Sequence, residues 1–326
     1  MVIDNNILMN AGDDYFSEEV VIPDGVETIA NTAFYKCKNL KKVSIPGSVK
    51  TIGTAAFSEC HSLTTVCLSE GTEEILCGAF ELCTKLENIN IPSTIHYIAD
   101  YAFKGCASLT KIDLSNMIIL YNDATINRYG SSSVDNTAIP DGVEIICRTK
   151  PNKCIRKTPR LHKSLGKGIF EDCFHLKEVK LFPHLSYIPT KGFKNCWNLK
   201  TIELPDSIRF IDKSAFAYCG SLNKIEIPDN VNYIGKKAFY CCLSLDKIEI
   251  PESVRTLHKG TFAGCTFLKT VTICNRIKKI SKNALPKGAT IEIRKTKKSE
   301  DSDNLKLKKN TVYGERVVDD NEESMD

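Results

Sequence analysis

Residues 202–224 read Ile-Glu-Leu-Pro-Asp-Ser-Ile-Arg-Phe-Ile-Asp-Lys-Ser-Ala-Phe-Ala-Tyr-Cys-Gly-Ser-Leu-Asn-Lys, and this pattern recurs along most of the 326-residue chain. Its proline, or the residue that replaces it, returns every 23 residues on either side of one interruption. The eleven marker positions are Pro23, Pro46, Ser69, Pro92, Ser115, Pro140, Phe182, Pro205, Pro228, Pro251 and Cys274. A unit this short cannot bury its own apolar face, so the units must stack.

Three further columns keep the same spacing. A phenylalanine follows the marker by eleven residues in eight units, and Phe170 continues the column after the interruption. A cysteine follows each of these nine phenylalanines by three residues, and a leucine follows each cysteine by three. The phenylalanines are Phe34, Phe57, Phe80, Phe103, Phe170, Phe193, Phe216, Phe239 and Phe262, and the cysteines are Cys37, Cys60, Cys83, Cys106, Cys173, Cys196, Cys219, Cys242 and Cys265. These columns predict one core that runs the length of the stack.

Each unit contains three short pieces. Alternation of apolar and polar residues before the proline predicts a β-strand. The strand ends at the proline, because proline has no backbone N–H to donate to a neighbouring strand. After a turn, Ile208 and Ile211 predict a second extended piece, and the Ala-Phe to Cys spacing fits a short helical or 3₁₀ turn. The sequence therefore predicts a repeat solenoid, a curved rod of about eleven 23-residue coils with short parallel strands and one concave face.

The unit Ile-x-Ile-Pro-x-x-Val-x-x-Ile-x-x-x-Ala-Phe-x-x-Cys-x-x-Leu-x-x resembles the Treponema-type, or BspA-like, leucine-rich repeat family. The period of 23 lies within the roughly 20 to 29 residues of leucine-rich repeats. The resemblance covers about residues 20–293, and the opening segment from Ile3 resembles the family's N-terminal cap. It implies a leucine-rich-repeat fold, protein binding, host or matrix attachment in bacterial surface members, and no catalytic residues.

The predicted organisation has three parts. Residues 1–19 form the N-terminal cap, 20–293 the solenoid and 294–326 a charged tail that we expect to be disordered. Within the solenoid, residues 116–136 are a degraded unit, and about residues 147–167 form a basic insert ahead of Phe170. An insert of this length predicts a protruding loop that is either functional or mobile.

Composition narrows the functional classes. With 44 basic and 40 acidic side chains the net charge is only +4, so the chain as a whole has no strong attraction for nucleic acid or anionic membrane. No stretch is long and apolar enough to span a membrane, and the N-terminus lacks secretory-signal features. Fifteen cysteines, an odd number, favour reduced thiols. We expect a cytoplasmic monomer, with a surface adhesin exported by an unrecognised route as the alternative.

The cysteine column predicts buried thiols that act as small hydrophobic groups, with a weak hydrogen bond to a turn carbonyl. Parallel Cβ vectors in a stack do not favour disulfides, and a linear array does not surround a metal ion. Cys147, Cys154 and His162 match no standard metal-binding spacing. The six histidines are scattered, and nothing places a base beside a nucleophile, so we predict no catalytic residues, no metal and no cofactor.

Two surfaces are candidate binding sites. The first is the concave strand face of the C-terminal coils, where outward residues vary while core columns do not; its members are Thr201, Glu203, Lys224, Glu226, Lys247, Glu249, Thr270 and Thr272. Pairing of Lys224, Glu226, Lys247 and Glu249 across strands would make it a self-neutralising solvated sheet instead. Rigid strands hold side chains at little ordering cost, which suits a protein partner.

The second surface is the insert, where basic residues cluster without an acidic one. Arg148, Lys150, Lys153, Arg156, Lys157 and Arg160 are its candidates for binding polyanions or phosphorylated ligands. No aromatic residue lies between Arg148 and Lys167, so bases would have nothing to stack on, and nucleic acid is not the expected partner. The leading hypothesis is a non-catalytic leucine-rich repeat scaffold that binds another protein through the strand face.

Overall fold

The computed structural model describes residues 1–117 and 165–294, together with the strand Thr311–Val312. Over these residues the chain is a parallel-strand β-solenoid of about ten coils of about 23 residues. The one helical element of this part of the chain is the 3₁₀ helix Gly12–Phe16. The predicted fold class is confirmed.

The strands are short, and each coil contributes up to two of them. Before the gap they are β1 (Val2–Asp4), β2 (Ile7–Asn10), β3 (Glu19–Val21), β4 (Thr28–Ile29), β5 (Lys42–Ile45), β6 (Thr51–Ile52), β7 (Thr65–Leu68), β8 (Glu74–Ile75), β9 (Asn88–Ile89), β10 (Tyr97–Ile98) and β11 (Lys111–Asp113). After it they are β12 (Glu178–Lys180), β13 (Tyr187–Ile188), β14 (Phe210–Ile211), β15 (Tyr233–Ile234), β16 (Lys247–Glu249), β17 (Thr256–Leu257), β18 (Thr270–Cys274), β19 (Lys279–Ile280), β20 (Thr290–Arg294) and β21 (Thr311–Val312).

Two parallel ladders run along the solenoid. We call the strands that follow the leucine column the first ladder; they are β3, β5, β7, β9, β11, β12, β16, β18 and β20. The second ladder follows the proline and comprises β2, β4, β6, β8, β10, β13, β14, β15, β17 and β19. Pairs such as Val43 with Val66 join residues one repeat apart. A shift of a whole repeat keeps every inward side chain inward, so the register follows from the period.

The third side of each coil carries the phenylalanine and cysteine and is a series of hydrogen-bonded turns. The sequence predicts a helical or 3₁₀ turn here, and hydrogen bonds of 3₁₀ spacing do occur, as from the Cys37 amide to the Phe34 carbonyl at 3.1 Å. Residues two before and two after the phenylalanine, however, lie in the left-handed region, as at Thr32 (φ 59°) and Lys36 (φ 61°). Because left-handed residues flank the phenylalanine on both sides, the amide of Phe34 points to the next coil and donates to the Ala56 carbonyl at 2.7 Å. Hydrogen bonds between coils thus take the place of the hydrogen bonds that a helix would form within one coil.

The core consists of stacked phenylalanines. The ring centroids of neighbouring coils are 4.9 Å apart for Phe34 and Phe57 and 5.3 Å apart for Phe193 and Phe216, and the rings are nearly parallel. All nine rings are fully buried. Each coil therefore packs its largest side chain only on the coils before and after it.

The predicted thiol column is buried: all nine of its cysteines have no exposed surface, and they are free thiols. Each thiol from Cys60 onward donates to the carbonyl of the phenylalanine one coil earlier, as from Cys60 Sγ to the Phe34 oxygen at 3.0 Å and from Cys219 Sγ to the Phe193 oxygen at 3.1 Å. Burial raises the pKa of Cys83 to about 12. The predicted hydrogen bond to a turn carbonyl is confirmed.

We expect native alkylation to divide the described cysteines into two groups. Cys67 and Cys77 are exposed and should react first, whereas the column thiols are inaccessible. Burial also raises the pKa of several column thiols, including Cys83 and Cys219, which disfavours the reactive thiolate. Peptide mass spectrometry after short labelling should find the column unmodified until the protein is denatured. Fast native labelling of Cys60, Cys219 or Cys242 would contradict this packing.

The solenoid continues directly across the gap. Phe103 stacks on Phe170 with a centroid distance of 5.9 Å, and β11 pairs in parallel with β12 through Lys111 and Glu178. These two described coils are therefore direct neighbours in the stack. The predicted degraded unit, residues 116–136, lies mostly outside the described residues.

The structure describes the last three residues of the predicted insert, 165–167. Leu165 bridges Ile98 of the second ladder and is fully buried. A Cβ on Gly166 would come within 2.1 Å of the Ala99 backbone, so this glycine is required for close stacking. Residues 165–167 belong to the solenoid, and the rest of the insert lies outside the described residues.

Both ends of the stack carry antiparallel strands. At the N-terminus β1 pairs with β2, which extends the second ladder. At the C-terminus β21 pairs with β20, so Arg294 and Thr311–Val312, which were assigned to a disordered tail, form strands. An added antiparallel strand covers the open edge of a ladder, which accounts for the difference.

Candidate functional site

The predicted strand-face residues lie in two rows on the outer side of the first ladder. Thr201, Lys224, Lys247 and Thr270 form one row, and Glu203, Glu226, Glu249 and Thr272 form the other. Thr201 bridges Lys224, and Lys247 and Glu249 pair with Thr270 and Thr272. Between the rows, Ile202, Ile225, Ile248 and Val271 are buried in the core. The alternation of each strand thus fixes eight polar side chains on one surface.

The charges on this face pair differently from the predicted cross-strand pattern. Lys224 Nζ lies 2.8 Å from Glu226 Oε1 within a single coil. Their hydrogen bond raises the pKa of Lys224 and lowers that of Glu226. Glu249 accepts a hydrogen bond from Arg294, two strands away. Because these groups are largely exposed, the pairs contribute little stability and remain available to a partner.

A row of exposed hydrophobic residues borders these strands. Phe174, Trp197 and Leu243 each follow a column cysteine by one residue, Phe267 follows one by two, and their exposed fractions are 41%, 49%, 37% and 65%. We call these four residues the hydrophobic rim. The amide of Ser221 donates to the Trp197 carbonyl at 3.0 Å, which holds adjacent coils in line along the rim. Exposed apolar residues grouped in this way commonly mark an interaction site.

Trp197 packs against the neighbouring coil. Its six-membered ring lies against Gly220 of the next coil, where an added Cβ would be 3.5 Å from Trp197 Cε3. This separation is an ordinary van der Waals contact. The only tryptophan of the chain therefore packs beside the neighbouring coil while half of its surface remains exposed.

None of the four rim residues is among the sites predicted from the sequence. At the equivalent positions of earlier coils the chain has Lys38, His61, Thr84 and Ala107, so the change to Phe174, Trp197 and Leu243 was visible in the repeat columns. Comparing surface columns as well as core columns would have found it.

The other predicted sites are not addressed by the described residues. Arg148, Lys150, Lys153, Arg156, Lys157 and Arg160 lie outside the described ranges, as do Cys147, Cys154 and His162. Within the described ranges no group of three or more His, Cys, Asp or Glu residues is arranged to hold a metal ion. No helix in this part of the chain is long and apolar enough to cross a membrane.

Comparison with known proteins identifies the repeat. The family model for the BspA type leucine-rich repeat region matches residues 12–130 and 163–292. The fold is similar to that of a leucine-rich repeat protein from Bacteroides ovatus, with 21% identity, a TM-score of 0.57 and coverage of 85% of this chain and 70% of that one.

Two further solved structures are more distant in shape. The T. pallidum leucine-rich repeat protein is 25% identical with a TM-score of 0.41, covering 70% of this chain and 78% of that one. The pneumococcal vaccine antigen PcpA is 22% identical with a TM-score of 0.44, covering 85% and 74%. No curated protein matches the sequence.

Proposed function

Because the chain belongs to the BspA-type leucine-rich repeat family, we propose that it is a non-catalytic scaffold that binds another protein through the C-terminal part of its first ladder. The observation that carries this proposal is the hydrophobic rim beside two rows of polar side chains. Protein interfaces combine an apolar centre with a polar, hydrogen-bonding surround. The rim supplies the first and the strand face the second.

Trp197 is the proposed anchor of the interface. Tryptophan, tyrosine and arginine dominate the few residues that carry most of the binding energy in protein complexes. Its ring is half exposed and already supported by Gly220, so a partner can cover it without first ordering a flexible segment. The neighbouring carboxylates of Glu203, Glu226 and Glu249 would favour a partner with basic or hydrogen-bond-donating groups around an apolar pocket.

We propose a reducing, cytoplasmic setting for this interaction and a monomeric scaffold. Cys67 and Cys77 present exposed free thiols, which persist in a reducing compartment. The antiparallel strands β1 and β21 cover ladder ends that could otherwise pair with a second copy.

The test is quantitative affinity capture from a lysate of the source cells, followed by a binding measurement with the identified protein. We expect Trp197→Ala to weaken that complex at least about tenfold, and Glu226→Lys with Glu249→Lys to weaken it strongly as well. Phe16→Ala is the matched control, because it removes a 74% exposed ring at the opposite end of the solenoid. Equal binding by native protein and both site variants would refute the assigned surface.

A further inference from the structure

The outer side of the second ladder is strongly basic over the five C-terminal coils. Residues 186–191, 209–214, 232–237, 255–260 and 278–283 contain one acidic residue, Asp212, and ten basic ones: Lys191, Arg209, Lys213, Lys236, Lys237, Arg255, Lys259, Lys278, Lys279 and Lys282. We call this surface the basic face. It lies outside both the insert and the strand face.

The same surface of the N-terminal coils has the opposite charge. Residues 27–32, 50–55, 73–78 and 96–101 contain one basic residue, Lys50, and four acidic ones: Glu27, Glu73, Glu74 and Asp100. The low net charge of the whole chain therefore conceals two zones of opposite sign. A positive potential concentrated over half of one surface attracts an anionic ligand to that half.

Four lysines of the basic face occupy equivalent positions on successive coils. We call Lys213, Lys236, Lys259 and Lys282 the lysine row. The amide of Ser214 donates to the Lys236 carbonyl at 3.0 Å, and that of Lys237 donates to the Lys259 carbonyl at 3.2 Å, which sets the register. Strand spacing places their backbones about 4.8 Å apart, so the row spans about 14 Å. All four side chains are exposed, and none forms an ion pair with a described carboxylate.

A row of aromatic residues runs beside the lysines. Tyr187 pairs with Phe210 and Phe210 pairs with Tyr233, so three half-buried rings lie on consecutive coils. Tyr233 is braced by His258, with 5.2 Å between ring centroids. Phe210 and Tyr233 lie three residues before Lys213 and Lys236 of the lysine row, and Tyr187 lies three residues before Thr190, the equivalent position of its coil. At most about 10 Å of backbone separates the two rows within a coil.

We propose that the basic face binds single-stranded nucleic acid, with phosphates along the lysine row and bases against Tyr187, Phe210 and Tyr233. Four like charges on successive coils repel one another, so a lysine row without an ion pair among the described carboxylates fits an anion that is itself linear. Proteins that bind single strands combine a basic track with aromatic residues on which bases stack. The insert was not expected to bind nucleic acid because it has no aromatic residue between Arg148 and Lys167. Stacking of the C-terminal coils brings aromatic rings and lysines together on a different surface.

Other polyanions fit the surface less well. A folded acidic protein would need apolar anchors, but the large exposed hydrophobic residues of the described C-terminal coils, including Trp197 and Phe267, lie at the rim or near it rather than on the basic face. A sulfated polysaccharide would use the lysines and leave the aromatic row without a role. RNA and DNA share the chemistry proposed here, and the 2′-hydroxyl is the group that can distinguish them.

The experiment measures binding of fluorescent oligouridylate and oligodeoxythymidylate of about twelve nucleotides to the full chain over a range of salt concentrations. The first variant carries Lys213→Gln, Lys236→Gln, Lys259→Gln and Lys282→Gln. Its matched control carries Lys38→Gln, Lys42→Gln, Lys85→Gln and Lys200→Gln, which removes the same charge from exposed lysines elsewhere. A third variant carries Phe210→Leu and Tyr233→Leu, which keeps apolar side chains and removes the rings.

We expect the lysine-row variant to change the salt dependence of binding and the ring variant to change the affinity alone. The lysine-row variant should make the dependence of log K on log salt less steep by about 0.7 for each contacted phosphate, so by about 3 in all. The ring variant should weaken binding about fivefold or more for each base that stacks and leave the salt dependence unchanged. The control set should behave like the native protein, and comparison of the two oligonucleotides shows whether the 2′-hydroxyl contributes.

Four outcomes would overturn the proposal. They are absence of measurable binding by the native chain at low salt, equal losses in the lysine-row variant and its control, an unchanged affinity in the ring variant, and loss of binding when residues 118–161 are removed. Tighter binding of a heparin fragment of equal charge, with no effect of the ring variant, would assign the face to sulfated polysaccharide instead.

Discussion

Replacement of Phe216 by alanine is expected to lower the free energy of unfolding by about 3 to 5 kcal/mol. The ring is fully buried between Phe193 and Phe239, with centroid distances of 5.3 and 5.4 Å. Its removal deletes contacts with both neighbouring coils and leaves a cavity that the hydrogen-bonded turns on either side cannot easily close. Chemical denaturation followed by Trp197 fluorescence measures the change, because Trp197 lies against Gly220 of the coil that contains Phe216.

The loss should be local as well as large. Each coil contacts only its neighbours, so limited proteolysis and hydrogen exchange should show the first increase in exposure near residues 193–239. Phe267→Ala is the matched control: it removes the same ring from a 65% exposed position and should change stability by less than about 0.5 kcal/mol. A uniform loss of protection along the whole solenoid would show that the coils unfold as one unit.

The core of this fold could be predicted because its determinants repeat. A phenylalanine or cysteine in one unit is weak evidence, but the same residue at the same place in nine units has one simple explanation, a stack in register. The buried alternation of β5 and β18 follows from the same spacing. Inward positions were therefore readable from the sequence without knowledge of any contact.

The backbone conformation of the turns could not be predicted from the repeat columns. Left-handed conformations are commonly signalled by glycine, yet here Thr32, Ala55, Tyr101 and Lys191 adopt them. What stabilises these residues is the bond from alternate amides to the next coil, as from Lys191 to the Lys213 carbonyl at 3.0 Å. The local sequence favoured a helical turn, and contacts one repeat away override that preference.

The two candidate binding surfaces were only partly predictable for a related reason. The rows containing Glu226 and Lys247 were found because they lie on strands beside recognised core residues. Trp197 and Lys236 belong to columns in which a single unit gives no indication of a binding residue. They form a surface only because neighbouring coils place similar residues about 4.8 Å apart, which is a property of the stack rather than of the repeat.

The junction between the coils of Phe103 and Phe170 shows most clearly that contacts between coils, rather than the sequence of one unit, define the structure. Across the junction, Lys111 Nζ lies 2.9 Å from Glu178 Oε1, and Lys180 Nζ lies 3.3 Å from Asp113 Oδ2. The Asp100 carboxylate accepts a hydrogen bond from the Lys167 amide at 2.7 Å. These side chains are complementary although 67 residues separate each pair. The two coils are therefore adapted to direct contact, and the connecting segment is not needed to bring matching surfaces together.

Removal of residues 118–161 should consequently preserve the fold and stabilise it. The deletion leaves 23 positions between Phe103 and Phe170, the spacing found between Phe80 and Phe103. Shortening the connection from Met117 to Leu165 to three residues reduces the entropy lost on closing it, and each halving of length contributes about 0.6 kcal/mol. We expect a gain of about 2 kcal/mol, measured by denaturation with Trp197 as the reporter.

The matched control removes residues 118–164, three more than the first deletion, and joins Met117 directly to Leu165. It leaves 20 positions between the two phenylalanines, too few to form a complete coil, so the bridge between Ile98 and Leu165 and the stacking of Phe103 on Phe170 should be lost. We expect this variant to be destabilised and its cysteines near the junction, Cys106 and Cys173, to become reactive. If instead the 118–161 deletion exposes these thiols while the full-length chain protects them, the connecting segment takes part in holding the two coils together, and the junction is not self-sufficient.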